Sequence, residues 1–155
     1  MVEQRPFKLL VMGSSPIGVT KKAIMTDEEN ILRRESWYAK YPWLKCGVEC
    51  GNGWDDLLDK MFLVLHSHWS RMNCHEDERF SILQVKEKFG TLRVYESFGD
   101  DFVRGAIAMA EGSSSFICER CGASGARLTG KGWLSTRCTK CTSETDQSNL
   151  GDMLP

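Results

Sequence analysis

Apolar residues recur at helical spacing through the middle of the chain, starting at Trp54. The stripe continues at intervals of three and four residues through Trp54, Leu57, Leu58, Met61, Phe62, Leu65 and Trp69. This spacing places them on one face of an α-helix, which we expect to supply one wall of the core. Asp55, Asp56 and Asp59 fall in the first turns, where they favour the helix dipole. We predict that these three acids form a solvated face.

A second helix is predicted over residues 27–40. The segment Thr26-Asp27-Glu28-Glu29 matches a capping box, in which the Thr26 hydroxyl and the Glu29 carboxylate each accept a backbone N–H. Pro42 lies just beyond the helix and helps to end it. The apolar positions of this helix include Ile31, Leu32 and Tyr38.

A third helix is predicted to begin at Asp100-Asp101 and to extend over residues 102–111. Its sequence is rich in alanine, and it is followed by Gly112 and a run of serines at residues 113–115. Glycine and serine at this point indicate the end of the helix.

Two strands are predicted between these helices, over residues 80–87 and 91–97, joined around Phe89-Gly90. Alternation predicts an apolar face formed by Leu83, Val85, Leu92 and Val94. The opposite face then carries Lys86, Arg93 and Tyr95. A hairpin with its apolar face against helices indicates an α+β fold.

Four cysteines near the carboxyl end are spaced as metal ligands. Cys118 and Cys121 form one CxxC pair, and Cys138 and Cys141 form a second pair sixteen residues later. Two such pairs predict a tetrahedral Zn²⁺ site within a zinc ribbon of two short hairpins. Gly122 follows the first pair, where a left-handed backbone is expected. Four protein ligands leave no position for water, so we expect one structural zinc and no catalysis.

These patterns divide the chain into four parts. Residues 1–25 are predicted to be an N-terminal extension, and residues 26–112 an α+β domain. Residues 113–145 form the predicted zinc ribbon, and residues 146–155 a flexible tail.

A second metal site is an alternative use of Cys46 and Cys50. The histidines and the cysteine that could join them are His66, His68, Cys74 and His75. On a regular helix His66 and His68 point about 200° apart, so at most one of them, such as His66, can join the two thiols. We favour small buried thiols over a second site. With three protein ligands and a water, such a site would be hydrolytic.

Composition and charge limit the classes of partner. The formal net charge of −1 argues against a protein that coats nucleic acid or an anionic membrane. Charge is uneven, however, because within residues 118–141 five basic side chains face one acid, Glu119. The basic side chains are Arg120, Arg127, Lys131, Arg137 and Lys140. Binding of nucleic acid by this local basic patch is therefore kept as an alternative.

Cysteine usage indicates the compartment. The chain has seven cysteines, of which four are in metal spacing, and no signal peptide is evident. We therefore expect reduced thiols in a cytoplasmic protein.

The basic sheet face has three interpretations. Lys86, Arg93 and Tyr95 can be an ordinary solvated face, which we favour for exposed basic residues on strands. Cations beside an aromatic ring can also bind phosphate and stack a base, or anchor an acidic protein partner.

Several segments together resemble a family of small uncharacterised proteins encoded in phages and prophages. The segments are Cys50-Gly-Asn-Gly-Trp54, Gln84-Val-Lys-Glu-Lys-Phe-Gly-Thr-Leu-Arg-Val-Tyr95, Ala110-Glu111, Gly132-Trp133 and the four ribbon cysteines. The resemblance implies a phage origin and this architecture, but no reaction. It also makes Met25 a plausible alternative start.

We therefore expect a non-catalytic phage accessory protein that binds a macromolecule, with a host protein preferred. The alternatives are a nucleic-acid-binding zinc ribbon, a zinc-dependent hydrolase built on Cys46 and Cys50, and capture of a small phosphorylated ligand by the sheet face.

Overall fold

The structure, a computed structural model, describes residues 26–71, 80–130 and 132–148. The predicted N-terminal extension and most of the predicted tail lie outside the described residues. Residues 146–148, which we assigned to the tail, are the last turn of a helix.

The described residues form helices and a small mixed sheet, which confirms the α+β class at that level. In chain order the elements are α1 (Asp27–Lys40), β1 (Val48–Glu49), α2 (Asp55–Arg71), β2 (Ser81–Lys88), β3 (Thr91–Ser97), α3 (Asp101–Ser114), β4 (Arg127–Thr129), β5 (Ser135–Arg137) and α4 (Thr139–Ser148). The sheet has the order β1-β2-β3, with β1 parallel and β3 antiparallel to β2, while β4 and β5 form a separate hairpin. Strand β1 was not predicted from the sequence. No helix within the described ranges is long and apolar enough to cross a membrane.

The predicted helix starts are confirmed. Thr26 and Glu29 form the full capping box of α1. Asp100 caps α3 by accepting the Val103 N–H at 2.9 Å. These local bonds satisfy amide groups that a helix start leaves without partners.

The core lies between α2, the sheet and the two flanking helices. The predicted stripe of α2 is buried at Leu58, Met61, Phe62 and Leu65. From α1, Trp37 packs edge-on against Phe62, with ring centroids 5.3 Å apart. The helix stripe was therefore a sound guide to the main hydrophobic contact.

The apolar residues of α1 do not follow this rule. Ile31, Leu32 and Tyr38 are all exposed. The side of α1 that faces α2 carries Trp37 together with Arg33 and Arg34, whose guanidinium groups meet aspartates of α2. Ion pairs take the place of an apolar contact here.

The prediction of a solvated acidic face on α2 was wrong for Asp55. Its side chain is fully buried, and Arg34 donates to it at 2.6 Å. Burial raises the pKa of Asp55, and the hydrogen bonds and charge of Arg34 oppose that rise. Asp56 and Asp59 are half-exposed and both pair with Arg33.

The predicted apolar face of the hairpin was wrong at Leu83. The β2–β3 register shifts between Ile82 and Gln84, so Leu83 lies in a bulge and is 55% exposed. The extra residue lets both Ile82 and Val85 face inward, although they are three positions apart. A strict period of two cannot anticipate such a shift.

Helix α3 covers the outer edge of β3. The Leu92 N–H donates to the Ser114 hydroxyl at 2.9 Å, and the Val94 N–H donates to Glu111 Oε1 at 2.8 Å. Side chains thus satisfy strand amides that would otherwise lie unpaired at a sheet edge.

Candidate metal centre

The four predicted ligands lie together. The sulfurs of Cys118, Cys121, Cys138 and Cys141 are all within 4.8 Å of one another, and the Cys121 and Cys138 sulfurs are 3.6 Å apart. A Zn–S bond of about 2.3 Å implies tetrahedral edges of about 3.8 Å, close to that separation. The separation of the Cys121 and Cys138 sulfurs is far longer than the S–S bond of a disulfide, which is ~2.05 Å. The arrangement can hold a metal ion, and zinc suits four thiolates.

The first CxxC pair forms a tight turn. The Gly122 N–H donates to the Cys118 carbonyl at 2.8 Å, and Ile117 forms a β-bridge with Ser124. Gly122 has the expected left-handed conformation, with φ of 73°. The turn directs both sulfurs to the same side, as predicted.

The second pair differs from the predicted hairpin. Cys138 immediately precedes α4, its carbonyl accepts the Thr142 N–H at 3.0 Å, and Cys141 lies in the first helical turn. Cys141 follows Cys138 by three positions, almost one turn of helix, so both sulfurs reach the same ion. The β4–β5 hairpin lies between the two pairs.

The thiols differ in their tendency to ionise. Burial opposes ionisation of Cys118, but N–H groups of Cys138, Cys121 and Arg120 outweigh it and lower its pKa to about 7. Burial raises the pKa of Cys121 and Cys141, to which neighbouring sulfurs contribute. A bound cation would favour the thiolate form of all four cysteines.

The segment Cys50-Gly-Asn-Gly-Trp54 supports this centre from the other side. The Gly53 N–H donates to the Glu119 carbonyl at 2.8 Å, and the indole N–H of Trp54 donates to the Ile117 carbonyl at 2.9 Å. The Gly51 N–H donates to the Glu119 carboxylate at 3.2 Å. We used this segment only for the resemblance to phage and prophage proteins, so its contact with the four cysteines was missed. The two glycines flanking Asn52 were the available signal, since glycine allows close approach of backbones.

The β2–β3 turn makes a second contact with the four-cysteine module, defined here as residues 115–148. The buried Thr136 hydroxyl donates to the Gly90 carbonyl at 2.5 Å. A Cβ on Gly90 would lie 2.2 Å from Leu128 Cδ1. The module and the α+β domain are therefore packed together at two glycine-containing segments.

The predicted binding residues fall in two places. Lys86 pairs with Arg93 across β2 and β3, and the Lys86 ammonium lies 5.2 Å from the centre of the Tyr95 ring. These three share one sheet face, as predicted. In the module, Arg127 pairs with Arg137 across β4 and β5. Arg120 lies inside the first CxxC turn, Lys140 in the first turn of α4, and Lys131 outside the described residues.

The second metal site does not form among the described residues. The only cluster there of three or more side chains of the ligand types is the cysteine quartet, so Cys46, Cys50 and His66 are not brought together. Burial raises the pKa of Cys50 to about 12, which suits an inert buried thiol. His66 contacts the ring of Tyr41. Cys74 and His75 lie outside the described residues.

His68 has a separate set of partners. Its Nε2 lies 2.7 Å from an Asp100 carboxylate oxygen, and its ring stacks on Phe102 at 4.2 Å. It therefore links α2 to the start of α3 and does not join Cys46 and Cys50.

No family model, curated protein or solved structure matches the chain. Membership of the phage and prophage family therefore stays a prediction based on the quoted motifs. Three glycines of those motifs, Gly51, Gly53 and Gly90, nevertheless have a physical explanation in their contacts with the four-cysteine module.

Proposed function

We propose that this chain is a non-catalytic accessory protein that binds another protein and is held together by one structural zinc. A zinc ribbon built on the two CxxC pairs would use all four tetrahedral positions, which leaves none for an activated water. The resemblance to phage and prophage proteins makes a host protein the proposed partner.

The observation that carries this proposal is the conformation of Phe89. It occupies the first of two turn residues between β2 and β3, and both have positive φ, 53° for Phe89 and 76° for Gly90. This type I′ turn favours Asn-Gly, and a bulky residue with positive φ is an outlier. Yet Phe89 is 69% exposed, so burial does not compensate the strain, which is about 1 kcal/mol or more. A strained and exposed aromatic side chain at a hairpin tip is well suited to insert into a partner's pocket.

The surroundings of Phe89 favour an acidic partner. The Lys88 ammonium lies 5.5 Å from the centre of the Phe89 ring. Lys86 and Arg93 lie further along the same hairpin, partly offset by Glu49, which is in register with Lys86 on β1. An aromatic anchor bordered by cations matches an apolar pocket bordered by carboxylates.

The four-cysteine module holds this tip in place. Thr136 bonds to the carbonyl of Gly90, Leu128 lies against its Cα, and Glu87 accepts its N–H. A turn fixed before binding loses less conformational entropy in the complex, which increases affinity. In this proposal the metal serves binding indirectly, by orienting Phe89.

The test is a substitution that keeps the turn and removes the anchor. Asn is preferred at the first position of a type I′ turn, so Phe89→Asn should fold at least as stably as the parent. Loss of a central aromatic anchor costs about 2 kcal/mol or more, so affinity for the partner should fall roughly 30-fold. The partner is identified by quantitative affinity capture from a bacterial host extract treated with nuclease, and its affinity is then measured with purified components.

The matched control is Leu32→Asn, which removes an equally exposed apolar side chain from α1. It should retain full binding. The charge variants Lys86→Glu and Arg93→Glu should weaken binding and reduce its dependence on salt. Equal binding by Phe89→Asn and the parent would exclude the proposed anchor.

Nucleic-acid binding by the basic side chains of the four-cysteine module is the second candidate, and Arg127 and Arg137 of this set pair across β4 and β5. The sheet face of Lys86, Arg93 and Tyr95 can add base stacking and phosphate contacts. This candidate predicts oligonucleotide affinity that falls steeply with salt, and capture that disappears after nuclease treatment. Charge reversal at Arg127 and Lys131 would then abolish binding without changing zinc content. A zinc-dependent hydrolase would require a second metal, which elemental analysis would detect.

A further inference from the structure

A groove of about 340 Å³ lies on the four-cysteine module, away from the β2–β3 tip. Its side-chain lining consists of Arg127, Arg137, Thr129, Thr139, Thr142 and Ser143. Two of these are cations and four are hydroxyls, and no carboxylate is among the described lining residues. The charged side chains that line the groove are thus of a single sign.

The two arginines lie directly opposite each other. Arg127 on β4 is the cross-strand partner of Arg137 on β5. Their neighbours Leu128 and Thr136, on the other face of the hairpin, contact Gly90. Because side chains alternate along a strand, the arginines face away from the α+β domain and towards the groove.

Like charges directly opposite each other destabilise a strand pair. Arg137 is compensated in part by the charge of Glu119, whose carboxylate also accepts the Gly51 N–H. Arg127 has no ion-pair partner among the side chains that the structure describes. A bound anion between the two guanidinium groups would remove this repulsion.

The hydroxyls of the groove divide into two kinds. Thr129, Thr142 and Ser143 donate their protons to backbone carbonyls. Thr139, the first residue of α4, makes no such bond within the described residues and can donate to a ligand. The positive end of the α4 dipole adds to the attraction for an anion.

We propose that this groove binds the dianion of a phosphate monoester. Two arginines that line one groove match two negative charges, and each guanidinium group can donate two parallel hydrogen bonds to phosphate oxygens. A phosphodiester backbone instead presents single charges in series and requires a row of cations. The module's other described basic residues, Arg120 and Lys140, do not line the groove, which favours the isolated dianion over nucleic acid.

The experiment uses the zinc-loaded full-length protein. Inorganic phosphate and O-phosphoserine are titrated separately at constant ionic strength, and the amide signals of residues 137–143 are followed by NMR. We expect saturable shifts with a Kd of about 1 mM or tighter, a range typical of a small anion held by few contacts. Saturation by inorganic phosphate alone would assign the site to the free anion. Tighter binding of O-phosphoserine would assign it to phosphorylated residues.

Variants connect the binding to the arginines. Arg127→Ala and Arg137→Ala should each weaken phosphate binding about tenfold, the loss expected for one charge-assisted bidentate contact. Arg127→Lys keeps the charge without the planar fork and should fall between the parent and the alanine variant. Arg71→Ala, which removes one arginine from the end of α2, should bind like the parent. Zinc content and circular dichroism of each variant establish that it is folded.

Three outcomes would overturn the proposal. The first is the absence of saturation by either phosphate probe. The second is equal phosphate affinity of three proteins, the parent, Arg127→Lys and Arg127→Ala. The third is preference for an oligonucleotide without a terminal phosphate, with affinity falling steeply with salt, which would assign the groove to nucleic acid. Because Phe89 is not part of the groove, Phe89→Asn should leave phosphate binding unchanged, so this test is independent of the proposed protein partner.

Discussion

Gly53 occupies a position where a side chain has no room. A Cβ there would lie 2.1 Å from the Cys118 carbonyl oxygen and 2.5 Å from that of Glu119. Both contacts are with backbone, which cannot rotate away as a side chain can. Gly51 is similarly close to Glu119. At the scale of the residue, these glycines determine how closely the α+β domain approaches the cysteine quartet.

We predict that Gly53→Ala displaces the first CxxC turn. The overpacking should lower the free energy of unfolding by about 1–3 kcal/mol. Because Cys118 moves with the turn, zinc should also transfer faster to a chromophoric chelator. Urea denaturation and the rate of zinc transfer measure the two effects.

The matched control is Gly105→Ala on α3, where nothing lies within 4 Å of the added Cβ. Replacing a helical glycine by alanine there should stabilise the protein by about 0.5–1 kcal/mol. If both variants shift stability in the same direction, the close approach at Gly53 is not what limits the site.

The contact between α1 and α2 depends on a buried ion pair at the scale of elements. Arg34 donates to the fully buried Asp55 and also to the carbonyls of Val48 and Cys50. One side chain therefore joins α1, β1 and the start of α2. A buried carboxylate of this kind is tolerated only while its charge is compensated.

We predict that Arg34→Met destabilises the protein by about 3–5 kcal/mol, because it leaves the Asp55 charge buried without a partner. The second substitution Asp55→Asn should recover part of that loss in the double variant. Arg33→Met is the control, and it should cost no more than about 1 kcal/mol because its partners Asp56 and Asp59 are half-exposed. Denaturant unfolding of the parent, Arg34→Met, Asp55→Asn and the double variant forms a double-mutant cycle. Equal losses for Arg34→Met and Arg33→Met would contradict the prediction.

At the scale of the whole molecule, the α+β domain and the four-cysteine module stabilise each other. The domain supplies Gly53, Trp54 and Gly90 to the interface, and the module supplies Ile117, Glu119 and Thr136. Loss of the metal should therefore change the surroundings of Trp54 and of the Phe89 tip, as well as those of the cysteines.

We predict that one zinc binds per chain and that its removal loosens both parts. A strong chelator should lower the melting temperature and change tryptophan fluorescence, and added Zn²⁺ should restore both. Cys121→Ser should lose the metal, whereas Cys46→Ser, outside the quartet, should retain it. Elemental analysis gives the stoichiometry, and a folded, metal-free parent of unchanged stability would contradict the prediction.

Acid should have the same effect as the chelator. Metal binding requires thiolates, so the pKa values of bound cysteines lie below the ~8.5 of an unfolded thiol. Backbone N–H groups already lower the pKa of Cys118 to about 7, before any contribution of a metal. A depressed pKa contributes stability that is present above the unfolded value and is lost as pH falls through the folded one. Stability should therefore begin to decline as the pH falls below about 8.5 and should continue to decline through pH 7, with zinc release accompanying the loss.

Sequence patterns predicted the features that depend on interactions between residues close together in the chain. The Thr26 capping box, the Asp100 cap and the buried stripe of α2 are short-range features, and all three are confirmed. The cysteine quartet was also visible in advance, because two CxxC turns can serve one ion only by coming together. The parallel pairing of β1 with β2 could not be predicted in the same way, because β1 has only two residues and shows no pattern.

The sequence by itself thus determined helices α1 to α3, the β2–β3 hairpin and the cysteine quartet, since period, caps and ligand spacing are local properties of the chain. Only the tertiary structure decided that Asp55 is buried on Arg34, that Leu83 lies in a bulge and that Gly53 and Gly90 contact the four-cysteine module. Each of these depends on backbone or charge brought in from a distant segment. The physical reason is that burial, register and close approach are properties of pairs of surfaces, which meet only when the chain has folded.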